Sequence, residues 1–225
     1  MKNLYGLIFD VDGVIADTEA ANARVTAQVF KEMFAVKDAK PEDFAAGIGR
    51  GDQEYVKSGA KAHGLKLTDE QLKTATQLRE RYFLKSLVKE PLSAFPGVLG
   101  LINDALEDNH FRVAIATSGS FEKSLAIVKA VEVPYEKMVH ISGNDVKNRK
   151  PDPELFLIAA KRMGIDTARC CVIEDAPDGV KAANAASAKC IAVTNSTNAE
   201  KLCEADLICN SLEQIDLETI RKLIG

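Results

Sequence analysis

The sequence predicts an α/β fold, a doubly wound parallel sheet interrupted by an inserted α-helical domain, and three observations carry that prediction. Short apolar runs alternate with amphipathic segments through the second half of the chain, the pattern of strands joined by crossover helices. The first apolar run is followed instead by a stretch without strand signals, residues 17 to 95. The chain has 225 residues, and domains commonly hold roughly 100 to 200, so a second, smaller core is expected.

The strands are read in order as LYGLIFD, FRVAIAT, MVHIS, CCVIED, AKCIAVT and ADLIC. Continuous apolar stretches such as Leu7 to Phe9 and Val113 to Ala116 suit a parallel sheet, whose strands are buried on both faces. In the interruption, Val25, Val29, Phe30, Met33 and Phe34 recur at helical spacing, as do Leu72, Ala75, Leu78, Tyr82 and Phe83. Thr68 and Gln71 form a capping box ahead of the second set. The expected division is an α/β core of residues 1–16 and 92–225 and a helical cap of residues 17–91, with linkers near 14–18 and 88–96. Farther on, Asp152 and Pro153 suit a helix start, Leu155, Phe156, Ala159 and Met163 form one stripe, and Gly164 can close it.

Composition narrows the function classes. A net charge of -4 offers no polycationic surface, so nucleic acid is a poor partner. No run approaches the roughly 20 apolar residues of a membrane helix, and the first apolar stretch holds Asp10 and Asp12, which a signal peptide would not; a cytoplasmic protein without membrane contact is expected. The five cysteines, Cys170, Cys171, Cys190, Cys203 and Cys209, lack CxxC spacing and read as reduced core residues. His63, His110 and His140 are scattered, which argues against a zinc site or a Ser-His-Asp triad.

The chemistry is expected at the strand ends, because in an open parallel sheet the carboxyl ends border the ligand crevice. The first strand ends in Asp10-Val11-Asp12-Gly13. Thr117 and Ser118 follow RVAIA, Lys150 precedes Pro151, and Glu174 and Asp175 follow CCVI. Each has an ordinary reading: a turn for Asp10 and Asp12, helix caps for Thr117 and for Glu174-Asp175, a solvated charge for Lys150 in its basic run. Their joint arrangement is harder to attribute to chance.

The segments FDVDGVIADTE, VAIATSGS, KPDPELF and VIEDAPDGVKAANAA resemble, in order, the four motifs of the haloacid dehalogenase-like superfamily. The resemblance covers nearly the whole chain and implies its Rossmann-like core with a helical cap. It implies Asp10 as nucleophile and Asp12 as general acid/base, Thr117 and Ser118 as phosphoryl-binding groups, and Lys150 as the lysine steadying nucleophile and phosphate. It also implies Mg2+ held by Asp10, the Asp12 carbonyl, Asp175 and, less firmly, Glu174. These roles fit phosphoryl transfer, where catalysis is mainly positioning and electrostatic stabilisation. Asp12 is expected to arrive protonated, with the Asp10 charge favouring that form.

The branch most resembled is the β-phosphoglucomutase and phosphoglycolate-phosphatase-like group, where the loop matching Gly47-Ile48-Gly49-Arg50-Gly51 contacts substrate; Arg50 is therefore the expected cap contact. Asn22, Ala46 and Leu78 stand where the mutase has a histidine and two lysines. Those departures favour water as acceptor. The expected activity is Mg2+-dependent hydrolysis of a small phosphorylated metabolite, of sugar phosphate or phosphoglycolate type, with a phosphosugar mutase as the alternative. The Asp12 position argues against a true dehalogenase, no cap lysine suits a phosphonoacetaldehyde hydrolase, and the length and helical insertion argue against a signalling receiver domain. A catalytically silent binding module would be expected to lack Asp10, Asp12 or Lys150.

Overall fold

A computed structural model describes residues 4–225, so residues 1–3 of the expected core lie outside the described residues. Six strands form one sheet in the order β3-β2-β1-β4-β5-β6: β1 (Tyr5–Phe9), β2 (Phe111–Ala116), β3 (Val139–Ile141), β4 (Cys170–Glu174), β5 (Lys189–Val193) and β6 (Leu207–Cys209). All five pairings are parallel. The chain moves from β1 outward through β2 and β3, then returns to place β4 on the other side of β1. This makes the carboxyl end of β1 a switch point, the place where a crevice opens in such sheets. All six expected strands form.

The first face of the sheet packs Leu7, Phe9, Val113, Ile115 and Ile173 against α4 (Val98–Glu107) and α8 (Leu217–Ile224). The other packs Ile8, Ala114, Val172 and Cys190 against α6 (Glu154–Met163) and α7 (Pro177–Ala185). Alternate residues of β1 thus feed different layers, each fully buried side chain contributing about 1.5–3 kcal/mol. Pro153 sits at the start of α6, Asp152 accepts the Glu154 N–H at 2.9 Å, and Gly164 ends the helix in the left-handed conformation. α5 (Phe121–Ala130) follows β2 and is capped by Ser120.

The insertion is built from α1 (Glu19–Phe34), α2 (Asp52–Ala62) and α3 (Asp69–Leu87), with a 3-10 turn at Pro41–Gly47. Val29, Phe30, Phe44, Tyr55, Val56 and Ala75 close its own apolar cluster. Phe30 meets Phe44 edge-on and Phe44 stacks on Tyr55, so Phe44→Ala would remove the centre at a cost of about 3–5 kcal/mol. The Thr68–Gln71 capping box forms at the start of α3. The two connections run side by side: the Phe95 N–H donates to the Ile15 carbonyl at 3.0 Å, and Ala16 bridges both Asp12 and Ala94.

Four of the five cysteines are buried as expected, but Cys203 is exposed because its neighbours form a surface 3-10 turn at Ala199–Leu202 rather than core. No helix among the described residues is long and apolar enough to cross a membrane.

Candidate active site

The crevice at the end of β1 is floored by four charged groups. Asp10 directly follows β1, its N–H bonded to the Ile173 carbonyl of β4, so the sheet itself aims the carboxylate upward. Lys150 Nζ donates to Asp10 Oδ1 at 2.7 Å and to Glu174 Oε1 at 2.5 Å, and all three residues are at most 3% exposed. Glu174 Oε2 accepts the N–H groups of Asp175 and Ala176, which fixes that carboxylate at the start of α7. A Cβ on Gly179 would lie 2.0 Å from the Glu174 carboxyl carbon, so only glycine admits this approach.

Burial pushes the Asp10 carboxyl up to about 7, against the lowering pull of Lys150, with Glu174 adding repulsion. Burial likewise raises Asp175 well above the ordinary carboxylate range, reinforced by Glu174 and Asp10. Lys150 is held above its ordinary value: burial works against the charge, but its two carboxylates outweigh that. Oxygens of Asp10, Glu174 and Asp175 lie within 4.8 Å of one another. Three buried carboxylates around one ammonium form a donor set that fits a hard divalent cation. Gly13, at φ +82°, admits the Asp175 carboxylate, since a Cβ there would lie 1.8 Å from Asp175 Oδ2.

Two hydroxyl groups stand at the end of β2. Thr117 Oγ1 accepts the Gly119 N–H at 3.1 Å, and Thr117 and Ser118 line the same pocket as Asp10. The Ser118 hydroxyl is buried with no protein partner, an unmet donor and acceptor in the crevice.

Asp12 turns away from this floor. Its Oδ1 accepts from Thr18 at 2.5 Å, from Asn22 at 3.1 Å and from the Lys123 ammonium at 3.1 Å. Burial alone would raise its pKa, but Lys123 and the Thr18 hydrogen bond outweigh burial and hold it below the ordinary range. Lys123, which the sequence motifs do not mark, thus pulls Asp12 in the direction opposite to the protonated form expected from Asp10 alone.

Above Asp12 stands a wall of residues that sequence reasoning missed. Lys123 also donates to Asp52 at 3.4 Å, Asp52 pairs with Arg79, and Arg79 further donates to Thr26 Oγ1 and to the side-chain Oδ1 of Asn22, each at 2.8 Å. Tyr55 donates to Glu19. Arg79 held a readable signal, since Ala75, Arg79 and Phe83 are the buried stripe of α3 at i, i+4, i+8 and an arginine interrupts it. Arg50 does not join the wall: its guanidinium lies 2.9 Å from Asp178 of α7, 43% exposed, while Gly49 and Gly51 on either side line the pocket.

The sequence matches the haloacid dehalogenase-like hydrolase family over residues 7–193. The chain belongs to that family. Hexitol phosphatase A of Escherichia coli is 30% identical over 210 residues, covering 93% of this chain and 92% of that one. The chloroplastic protein Suppressor of Quenching 1 of Arabidopsis thaliana is 34% identical over 192 residues, and there this dehalogenase-like chain spans only 17% of the longer protein. Among solved structures, β-phosphoglucomutase from Clostridium difficile superposes with a TM-score of 0.86 at 22% identity, over 98% of this chain and 97% of that one, a likeness of fold.

Proposed function

We propose that this hydrolase is a magnesium-dependent phosphatase that cleaves a small organic phosphate monoester, of sugar phosphate or phosphoglycolate type, through an aspartyl phosphate on Asp10. The observation that carries the reading is the buried Asp10 carboxylate, held 2.7 Å from Lys150 at a sheet switch point beside the unpartnered Ser118 hydroxyl. Taking residues 17–91 as a cap, the floor handles phosphate and the insertion handles the remainder of the ester.

Asp10, Asp175, the Asp12 carbonyl and Glu174 would hold the cation, with Glu174 the weaker ligand because Lys150 and two backbone N–H groups already occupy its oxygens. Bound there, the cation offsets the repulsion between the Asp10 carboxylate and a phosphate dianion. An Asp10 oxygen attacks phosphorus, the bond to the leaving oxygen breaks, and Lys150, Thr117 and Ser118 hold the equatorial oxygens. Asp12 faces the leaving group; an arriving dianion raises its proton affinity, so Asp12 takes up a proton from solvent and passes it to the leaving alkoxide as the P–O bond breaks. Afterwards the Asp12 carboxylate accepts a proton from the water that splits the aspartyl phosphate.

Phosphate release from a panel of esters with magnesium, wild type against Asp10→Asn, tests the reading. Full turnover by Asp10→Asn would remove Asp10 as nucleophile. Isomerisation of β-glucose 1-phosphate with its bisphosphate activator, without phosphate release, would put the mutase first.

A further inference from the structure

We propose that the wall above Asp12 selects a neutral, polyhydroxylated leaving group, that of a sugar or sugar-alcohol monophosphate, over one bearing a carboxylate or a second phosphate. The inference rests on the phosphatase reading of the site and narrows it.

Among the described residues that line the pocket, the side-chain cations are Arg79 and Lys123, and each is already ion-paired. Arg79 is 1% exposed and has one hydrogen bond on each of its three nitrogens, to Thr26, Asp52 and Asn22. Lys123, 3% exposed, is shared between Asp12 and Asp52. Glu19 adds a further carboxylate to the lining. An anionic leaving group placed here would meet Asp12, Asp52 and Glu19 with no uncommitted ammonium or guanidinium to receive it. Lys150 belongs to the floor with Asp10 and Glu174, and Arg50 is drawn aside to Asp178.

Hydrogen-bonding capacity points the same way. A carboxylate or phosphate oxygen only accepts, whereas a hydroxyl both donates and accepts. Arg79, Lys123 and Asn22 line the pocket as donors, and the oxygens of Glu19, Asp12 and Asp52 line it as acceptors. Vicinal hydroxyls satisfy such an alternation of donors and acceptors. An anion leaves the acceptors facing like charge and desolvated, which is how a site rejects a ligand.

The test measures phosphate release with magnesium on sorbitol 6-phosphate and glucose 6-phosphate against 2-phosphoglycolate and fructose 1,6-bisphosphate. The neutral-group esters are expected to have kcat/KM higher by about tenfold or more. Equal or better turnover of phosphoglycolate or the bisphosphate overturns the proposal. Calorimetric binding of the same four compounds to Asp10→Asn ranks them without turnover, so if no ester is hydrolysed the phosphatase reading fails while the binding order still decides what the wall selects. Asp52→Asn leaves two wall carboxylates, Asp12 and Glu19, against the two cations and is expected to shrink the preference by about tenfold. Because Asp52 anchors two buried cations, Glu19→Gln is the second variant, removing a negative charge without orphaning a cation. A preference unmoved in both variants overturns the charge argument.

Discussion

Two buried lysines, each set between two carboxylates, divide the site into regions that behave differently. Lys150 lies 2.7 and 2.5 Å from Asp10 and Glu174, both at strand ends of the core. Lys123 lies 3.1 and 3.4 Å from Asp12 and Asp52, one in the core and one on α2 of the insertion. The floor has a third carboxylate, Asp175, and no second cation, so its imbalance calls for a metal. The wall has Arg79 to balance Asp52, which leaves Glu19 as its one carboxylate outside an ion pair. The lesson is that one motif, a lysine between two acids, stands in the floor beside two acids in excess of its single cation and in the wall beside an arginine that cuts the excess to one.

The largest way to break this comparison is at the floor. Asp10→Asn is expected to lower kcat by a factor on the order of 10^4 to 10^6, the scale of losing a nucleophile or its partner, checked by single-turnover phosphate release. Lys150→Met leaves three acids without their ammonium. It should lower kcat by about 10^2 to 10^3 and cost about 3–5 kcal/mol in urea unfolding without metal.

The matching change in the wall is milder and sharpens the contrast. Lys123→Met removes the cation that outweighs burial at Asp12, so the Asp12 pKa moves up from its depressed position. In the wild type that pair stabilises the fold above the ordinary aspartate pKa and loses its contribution as pH falls through the depressed value. The variant should therefore show less stability at neutral pH, little difference in strong acid, and an acidic limb of the pH-rate profile displaced upward.

Metal and pH test the floor's imbalance directly. Asp10 is raised to about 7, above its unfolded value, so the native state binds more protons between these limits and metal-free stability falls as pH rises through that window. Each unit of such a shift is worth about 1.4 kcal/mol. Thermal melts without metal should be higher at pH 5 than at pH 7.5, and magnesium should raise the melting temperature at pH 7.5, where the carboxylates are free to bind it. The smallest effect is expected at Arg50. Its ion pair with Asp178 is half exposed, so Arg50→Ala should change stability by about 0.2–1 kcal/mol, read by urea denaturation.

The two regions also differ in how far the sequence discloses them. Asp10, Thr117, Glu174 and Asp175 follow apolar runs, and parallel topology alone sends strand ends to one crevice. Asp52, Arg79 and Lys123 sit in helices among many charged residues, where a lysine or arginine ordinarily faces water. Which helix face is covered depends on how the insertion docks on the core, and periodicity within one helix does not encode that. Arg50 shows the converse: the glycine-rich loop reaches the pocket, but its arginine is captured by an acid on α7 that lies far off in sequence.

The paired connections at Ala16 and Ala94 have a mechanical consequence. They bring the two chain crossings together four residues from Asp12, whose backbone is bridged to Ala16 itself. Asp52 on α2 meets Asp12 only through the shared Lys123 ammonium, so any shift of α2 against the core would open the Lys123–Asp52 contact first. The Asp12 backbone would keep its setting through the bridge to Ala16.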